Sequence, residues 1–247
     1  ECGPAGVQQA GAVLARVEIL TRRGRLKEAA ATAANLSTQL SSDETRGSRA
    51  EYLAGRAYHL MSKESMALEC HTRARLSARN PQDLSNALWG AYLAAVEIGL
   101  PEAPDYLGEL EALALPDLGF RLRVATGRMA SAASAGSLRG ISAVFEPLLP
   151  IVGHVNEPMV VTSFLTRAAE IEVLRAQYAT AHDFASKALD LAEKLHLAFA
   201  EPLCLIPLIA AEIGQRRFAS ARDKLFLLSS HSLSNEDPYL QLSIQIL

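Results

Sequence analysis

The stretch Gly-Arg-Leu-Lys-Glu-Ala-Ala at Gly24–Ala30 is the clearest copy of a helix-turn-helix unit that the chain repeats about six times. Related stretches occur at Lys63–Glu69, Gln177–Ala181 and Arg217–Ala221. One marker position is almost always alanine, and its separations along the chain are 38, 36, 38, 40 and 40 residues. The six markers are Ala29, Ala67, Ala103, Ile141, Ala181 and Ala221. A fixed period in this range predicts a solenoid of helical hairpins.

The predicted fold is all-α, a right-handed superhelix in which each hairpin consists of a helix A followed by a helix B. The hairpins are expected at about 7–40, 45–80, 83–114, 117–150, 158–196 and 202–231, with a partial seventh at 237–247. We treat residues 1–247 as a single solenoid. The chain opens at Glu1 rather than Met and stops inside an apolar stretch, which indicates a fragment of a longer protein.

The marker alanines have a packing explanation. Helix B must lie close to its own helix A, and a side chain larger than methyl at the closest approach would push the two axes apart. Twelve residues before each marker, the facing position on helix A is also small or apolar. Those positions hold Val17, Gly55, Ala91, Met129, Ala169 and Ile209. In the fourth hairpin both positions hold large side chains, Met129 and Ile141, which predicts a larger distance between its two helices.

Local signals predict several helix ends. Gly24 is expected to adopt the positive φ that terminates a helix. Asp83 is expected to cap the third hairpin, and Pro207 to delay or kink helix A of the sixth. The fourth helix B is expected over 138–149, with a loop over 151–158. The alternating Leu and Ile residues in 237–247 also fit a strand, but the preceding helical units favour a helix.

Composition excludes several function classes. Apolar residues make up 49% of the chain, and the net charge of −3 leaves no basic stripe for direct nucleic-acid contact. No apolar run is long enough to cross a membrane. Three cysteines that are far apart, Cys2, Cys70 and Cys204, do not form a disulfide framework and favour a reducing, cytoplasmic compartment.

Catalytic patterns are weak. The six histidines are scattered, and none pairs at i, i+4 around a glutamate as in a helical zinc site. We therefore predict no enzyme activity, no cofactor and no metal. A helical enzyme of the α/α-toroid kind would need a carboxylate or metal centre, which the sequence does not offer. His71 is interpreted as a packing residue.

The hairpins resemble tetratricopeptide repeats. That pattern has a small eighth residue, an aromatic or aliphatic seventeenth and alanine at the twentieth. The seventeenth residues here are Leu26, Glu64, Leu100, Leu138, Tyr178 and Phe218. Tetratricopeptide units have 34 residues, whereas the spacing here averages about 38. Longer units are similar to the helical-repeat region of MalT- and LuxR-type bacterial transcriptional regulators, in which a nucleotide-binding module precedes the repeats and a DNA-binding domain follows them.

This resemblance implies a regulatory or sensor region that binds an effector or a partner protein in a concave groove lined by the A helices. Cations beside aromatic rings suit an anionic, sugar-like or peptide ligand, although the aromatic residues could instead be packing between hairpins. The alternative function is a general scaffold that binds a peptide. A homodimer through the apolar segment Leu240–Leu247 is also considered. The candidate groove residues are Glu18, Arg49, Tyr52, Arg56, His59, Trp89, Tyr92, Arg123, Arg167 and Glu170.

Overall fold

The chain forms two compact helical units, unit 1 over residues 1–115 and unit 2 over residues 116–247. The computed structural model describes residues 4–40, 44–231 and 238–247. All regular structure in these ranges is helical, which confirms the predicted all-α class. Unit 1 contains α1 (Pro4–Arg22), α2 (Leu26–Gln39), α3 (Glu44–His59), α4 (Glu64–Ser77), α5 (Pro81–Glu97) and α6 (Ala103–Ala112). Unit 2 contains α7 (Leu118–Ser134), α8 (Ser142–Phe145), a 3₁₀ helix (Glu146–His154), α9 (Pro158–Leu174), α10 (Tyr178–Lys194), α11 (Ala200–Gly214), α12 (Phe218–Ser230) and α13 (Pro238–Ile246).

Within unit 1 each helix packs against the next one in the chain. The first helices of the hairpins, α1, α3 and α5, also pack against one another, whereas α2, α4 and α6 contact one another slightly at most. Unit 2 repeats this arrangement, because α7 packs against α9 and α9 against α11. Within unit 1, neighbouring A helices therefore lie closer to each other than neighbouring B helices do.

The marker residues lie where the steric argument requires. Ala29, Ala67 and Ala181 are fully buried, and the other three markers are also buried. The facing positions on the A helices are buried as well. The predicted burial of the marker positions is thus confirmed.

The turn between helices A and B has one recurring backbone geometry. Gly24 has a φ of 72°, as predicted. The next residue, Arg25, donates its backbone N–H to the carbonyl of Leu20 at 2.9 Å. This is the hydrogen bond that closes a helix ending in a left-handed residue. The same bond, at 2.8 to 3.0 Å, follows the left-handed residues of the other A–B turns, Ser62, Gly99, Gly136, Ala176 and Arg216.

The fourth hairpin differs from its prediction. The helix expected over 138–149 is a single α-helical turn, α8, followed by a 3₁₀ helix that also occupies residues 151–154 of the expected loop. Gly140 has a φ of 73°, which interrupts helical geometry before α8. Pro147 and Pro150 have no backbone N–H to donate, and this weakens α-helical hydrogen bonding after α8. The prediction of a full helix B was therefore wrong, and the loop predicted over 151–158 is confined to residues 155–157.

Two smaller predictions were also wrong. Asn80, rather than Asp83, caps α5, and its side-chain oxygen accepts a hydrogen bond from the Asp83 N–H at 2.8 Å. Pro81 occupies the first turn, where its missing N–H costs nothing. Helix α11 starts at Ala200 and continues through Pro207, so no delay occurs. The segment after residue 237 is helical as favoured, and its Leu240 is buried inside unit 2.

Leucine at marker position 181 is expected to destabilise the protein. Ala181 is fully buried on α10, so three additional carbon atoms would overpack the contact with helix A and lower the free energy of unfolding by about 2 kcal/mol. Ala179→Leu is the control, because Ala179 is exposed on the same helix. Urea unfolding should separate the two variants. Equal stabilities would contradict the packing role of the marker.

Candidate ligand-binding surface

The A helices of unit 1 bring together polar and aromatic side chains that remain at least partly exposed. Helix α3 presents four of them at spacings of three and four residues, which places them along one face. The opposite face of α3 is buried in the unit 1 core through Ala50 and Ala54. We call the partly exposed set the wall; it consists of Glu18, Arg49, Tyr52, Arg56, His59 and Trp89.

An ion pair joins the first two A helices at the wall. Arg49 on α3 donates from Nη2 to Glu18 Oε1 on α1 at 2.7 Å. Half of the arginine side chain is exposed, so the pair stabilises the fold by about 1 kcal/mol at most. An anionic ligand group could therefore compete with Glu18 for the guanidinium at small cost.

His59 lies at the end of α3, where the chain turns into α4. Its Nδ1 is 2.8 Å from Glu64 Oε2, and both side chains are largely shielded from solvent. The pair links the end of helix A to the first turn of helix B. His59 thus has a structural partner already, and a ligand would meet it as part of this pair.

The three aromatic candidate residues, Tyr52, Trp89 and Tyr92, differ in their exposure. Trp89 and Tyr92 on α5 are stacked, with ring centroids 5.7 Å apart and an interplanar angle of 29°. Tyr92 is only 1% exposed, so it packs inside the protein and offers no surface to a ligand, which corrects its place among the groove residues. Trp89 is half-buried and keeps an accessible edge. Tyr52 is half-buried and lies 5.7 Å from the His71 ring.

His71 enters from α4 between the A helices α3 and α5, directly below the wall. A Cβ added at Gly55 on α3 would lie 2.7 to 2.9 Å from the ring atoms of His71, and one at Gly90 on α5 would lie even closer. The two glycines therefore form a slot that holds the imidazole, which we call the His71 wedge. The side chain is 1% exposed, which confirms the predicted packing role.

The environment of the wedge keeps the imidazole neutral. Burial lowers the pKa of His71 to about 3, and a nearby His59 adds to the effect. Its Nδ1 is buried and has no hydrogen-bond partner among the described residues. An uncharged ring is the form that a slot between two glycines can accommodate, because a buried charge without a partner is strongly disfavoured.

The three candidate residues in unit 2 have other surroundings. Arg123 on α7 is 6% exposed and donates to Glu157 at 2.5 Å, so it holds unit 2 together rather than facing solvent. Gly119 permits this arrangement, because a Cβ there would overlap the Glu157 carboxylate. Arg167 and Glu170, one turn apart on α9, are half-buried and pair with each other at 2.5 Å. None of the three is part of the wall as defined for unit 1.

A buried carboxylate network in unit 2 was missed in the sequence. Glu212 on α11 is 2% exposed and accepts hydrogen bonds from Ser220 Oγ at 2.9 Å and Lys224 Nζ at 2.8 Å on α12. His182 Nε2 on α10 lies 3.6 Å from the same oxygen. Ser220 and Lys224 thus bind the Glu212 carboxylate and tie α12 to α11. One feature of the sequence could have indicated this network: Glu172 lies 40 residues before Glu212, which is one repeat length, and it is also buried.

The described cysteines are not reactive thiols. Burial raises the pKa of Cys70 to about 11 and that of Cys204 to about 12. At neutral pH both remain protonated, and the protonated thiol is a poor nucleophile and metal ligand. Cys2 lies outside the described residues.

The described ranges contain no group of three or more His, Cys, Asp or Glu side chains that could hold a metal ion. Among the same residues, no helix has both the length and the apolar character needed to span a membrane. No protein-family model matches the chain. The comparison with curated proteins gives no match either.

Proposed function

We propose that this chain is a non-enzymatic binding region whose wall holds a peptide or a small anionic or sugar-like effector. In this proposal it serves as the sensor region of a bacterial LuxR/MalT-like transcriptional regulator. Binding would shift the equilibrium of a neighbouring switch module by favouring one of its states. The observations that support binding are the packing of α3 against both α1 and α5 and the Arg49–Glu18 ion pair between the first two of these helices.

The chemistry of the wall suits recognition better than bond cleavage. Arg49 is engaged by a surface carboxylate that a ligand could displace, and Trp89 offers a ring for stacking. Arg56 lies one turn from Tyr52 on the same face of α3. In the sequence it stands between Arg49 and Trp89. An extended peptide or a sugar acid could satisfy both kinds of contact at once.

The wall can be tested through its tryptophan. Trp89 is the chain's only tryptophan, so its selectively excited emission reports on this surface alone. We would titrate the protein with a panel of acidic and mixed-charge dodecapeptides and with mono- and disaccharide acids, and confirm hits by calorimetry. Arg56→Ala is expected to weaken a true wall ligand about 10- to 100-fold, because hydrogen bonds to a charged group contribute roughly 1.5–3 kcal/mol.

Arg23→Ala is the matched control, since Arg23 is exposed in the first A–B turn and lies outside the wall. It should leave the affinity unchanged. Equal affinity for the wild type and Arg56→Ala, or an equal loss in both variants, would reject the wall as the binding surface.

The regulator setting has its own test. A nucleotide-binding module encoded before these residues and a DNA-binding domain after them would support a regulator. Their absence from the parent gene would favour the second candidate, a general tetratricopeptide-like scaffold for peptides, which the repeated hairpin turns also support. Right-handed stacking of about six hairpins and a cytoplasmic location belong to the same proposal, and an experimental structure and cell fractionation would test them.

A further inference from the structure

The Glu18 carboxylate at the wall has an arginine on either of two helices as a neighbour. In the structure it binds Arg49 on α3, with Nη2 and Oε1 2.7 Å apart. Arg22 lies four residues after Glu18 on α1, which places both side chains on the same face of that helix. Arg22 is exposed, and no ion pair links it to another residue that the structure describes.

The two arginines can hold Glu18 with similar strength. An ion pair as exposed as that of Arg49 changes an equilibrium constant about fivefold at most. A glutamate and an arginine four residues apart on a helix contribute about twofold. Arg22 also stands in the last turn of α1, where the helix dipole favours a cation even without a side-chain partner. Glu18 can therefore move from one arginine to the other at little cost in free energy.

Such a move would leave the first two hairpins connected. The Arg49 pair joins α1 to α3, whereas a pair with Arg22 would lie within α1 alone. A second polar contact between these hairpins does not involve Glu18, because Ser37 Oγ on α2 donates to Glu51 Oε1 on α3 at 2.6 Å. The Arg49 guanidinium can thus be released to a ligand while the packing of the hairpins is kept.

We propose that the wall recognises a carboxylate of its ligand by partner exchange, in which the ligand carboxylate replaces Glu18 on Arg49 and Glu18 turns to Arg22. This inference rests on the proposed function, since it assigns the group by which the ligand of the wall is anchored. Before the exchange two arginines share one carboxylate, and after it each has its own. The planar guanidinium can hold the ligand carboxylate by two parallel hydrogen bonds. A neutral ligand leaves Glu18 on Arg49.

Removing the competing carboxylate tests the first half of the exchange. The probes are galacturonate and a blocked dodecapeptide with four glutamates, and their neutral counterparts are galactose and the same peptide with glutamines. Calorimetry on the full chain should show that Glu18→Gln binds a carboxylate probe about three- to fivefold more tightly than the wild type. The affinity for the neutral counterparts should stay the same.

Glu28→Gln is the matched control for this substitution. The Glu28 side chain is 32% exposed, against 31% for Glu18, and it also pairs with an arginine, Arg16, at 3.0 Å. Its variant changes the net charge by the same amount but leaves the competitor on Arg49. It should bind the probes like the wild type.

The second half of the exchange is tested at Arg22. Arg22→Ala should weaken binding of a carboxylate probe about twofold in the wild type, because Glu18 then has no second partner. In the Glu18→Gln background the same substitution should have no effect. A crystal structure of the complex should show the probe carboxylate on Arg49 and the Glu18 carboxylate within ion-pair distance of Arg22.

The outcomes separate this inference from the proposed function. Binding that depends on Arg56 but is equally tight in Glu18→Gln and Glu28→Gln would overturn the exchange alone, as would an equal loss on Arg22→Ala in both backgrounds or tighter binding of the neutral probes. If no probe binds, or if Arg56→Ala has no effect, the proposed function fails and the exchange fails with it. Tighter binding in Glu18→Gln supports the exchange for either carboxylate probe, and the probe that binds distinguishes a peptide from a sugar acid.

Discussion

Replacing Gly90 by alanine is expected to lower the free energy of unfolding by about 3 kcal/mol. The added Cβ would overlap the ring of His71, which is already confined on the other side by Gly55. Overpacking of a filled core forces side chains or backbone to move, and a rigid ring wedged between two helices has little freedom to do so. The loss should exceed the gain in helix propensity that alanine normally brings. Urea or thermal unfolding measures the difference.

The matched control substitution is expected to change the stability in the opposite direction. Gly108 lies on the exposed side of α6, and nothing lies within 4 Å of a Cβ built there. Gly108→Ala should therefore raise stability by up to about 1 kcal/mol. In a His71→Ala background, where the slot is vacant, Gly90→Ala should cost nothing or stabilise. A similar loss with and without His71 would contradict the wedge.

Acid is expected to destabilise the protein through His71. In the unfolded chain this imidazole takes up a proton near its ordinary pKa of 6.5, whereas in the folded protein burial lowers that pKa to about 3. Between these values the unfolded state holds one more proton, so stability falls as the pH falls. The slope is about 1.4 kcal/mol per pH unit, and roughly 5 kcal/mol is lost across the window.

The contribution of His71 is isolated by comparing variants. His71→Phe keeps a flat ring but cannot titrate, so its stability should decline less steeply than the wild type between pH 6 and pH 4. His154→Gln changes an exposed histidine and should retain the wild-type slope. If His71→Phe and the wild type lose stability in parallel, the imidazole is not held neutral in the folded state.

The sequence predicted those features of the fold that depend on side-chain size. The buried marker alanines and the packing role of His71 could be predicted because a steric requirement repeats at a fixed spacing. The left-handed residues in the A–B turns were predicted only at Gly24. Ser62, Ala176 and Arg216 adopt the same geometry, but residues of these types rarely have a positive φ. The conformation is stabilised by the hydrogen bond that the following residue donates, and residue type alone does not predict it.

The candidate site was harder to predict because helix spacing alone does not reveal exposure. Tyr92 and Arg123 occupy groove positions in the repeat, yet neighbouring helices bury them both. Glu212 is the converse case: no sequence pattern distinguished it, yet it is buried, and Ser220 and Lys224 from another helix bind its carboxylate. Contacts between elements of this kind are not encoded in the periodicity of any single helix.

The recurring A–B turn has a consequence for how such a protein can diverge. Each hairpin requires a close contact near the start of its second helix and a hydrogen bond that ends its first helix. That hydrogen bond joins two backbone groups, so it does not depend on the side chain at the turn. Exposed positions away from these contacts can then vary without altering the scaffold. A new specificity could arise by changing surface residues on one pair of helices while the neighbouring pairs keep their inherited architecture.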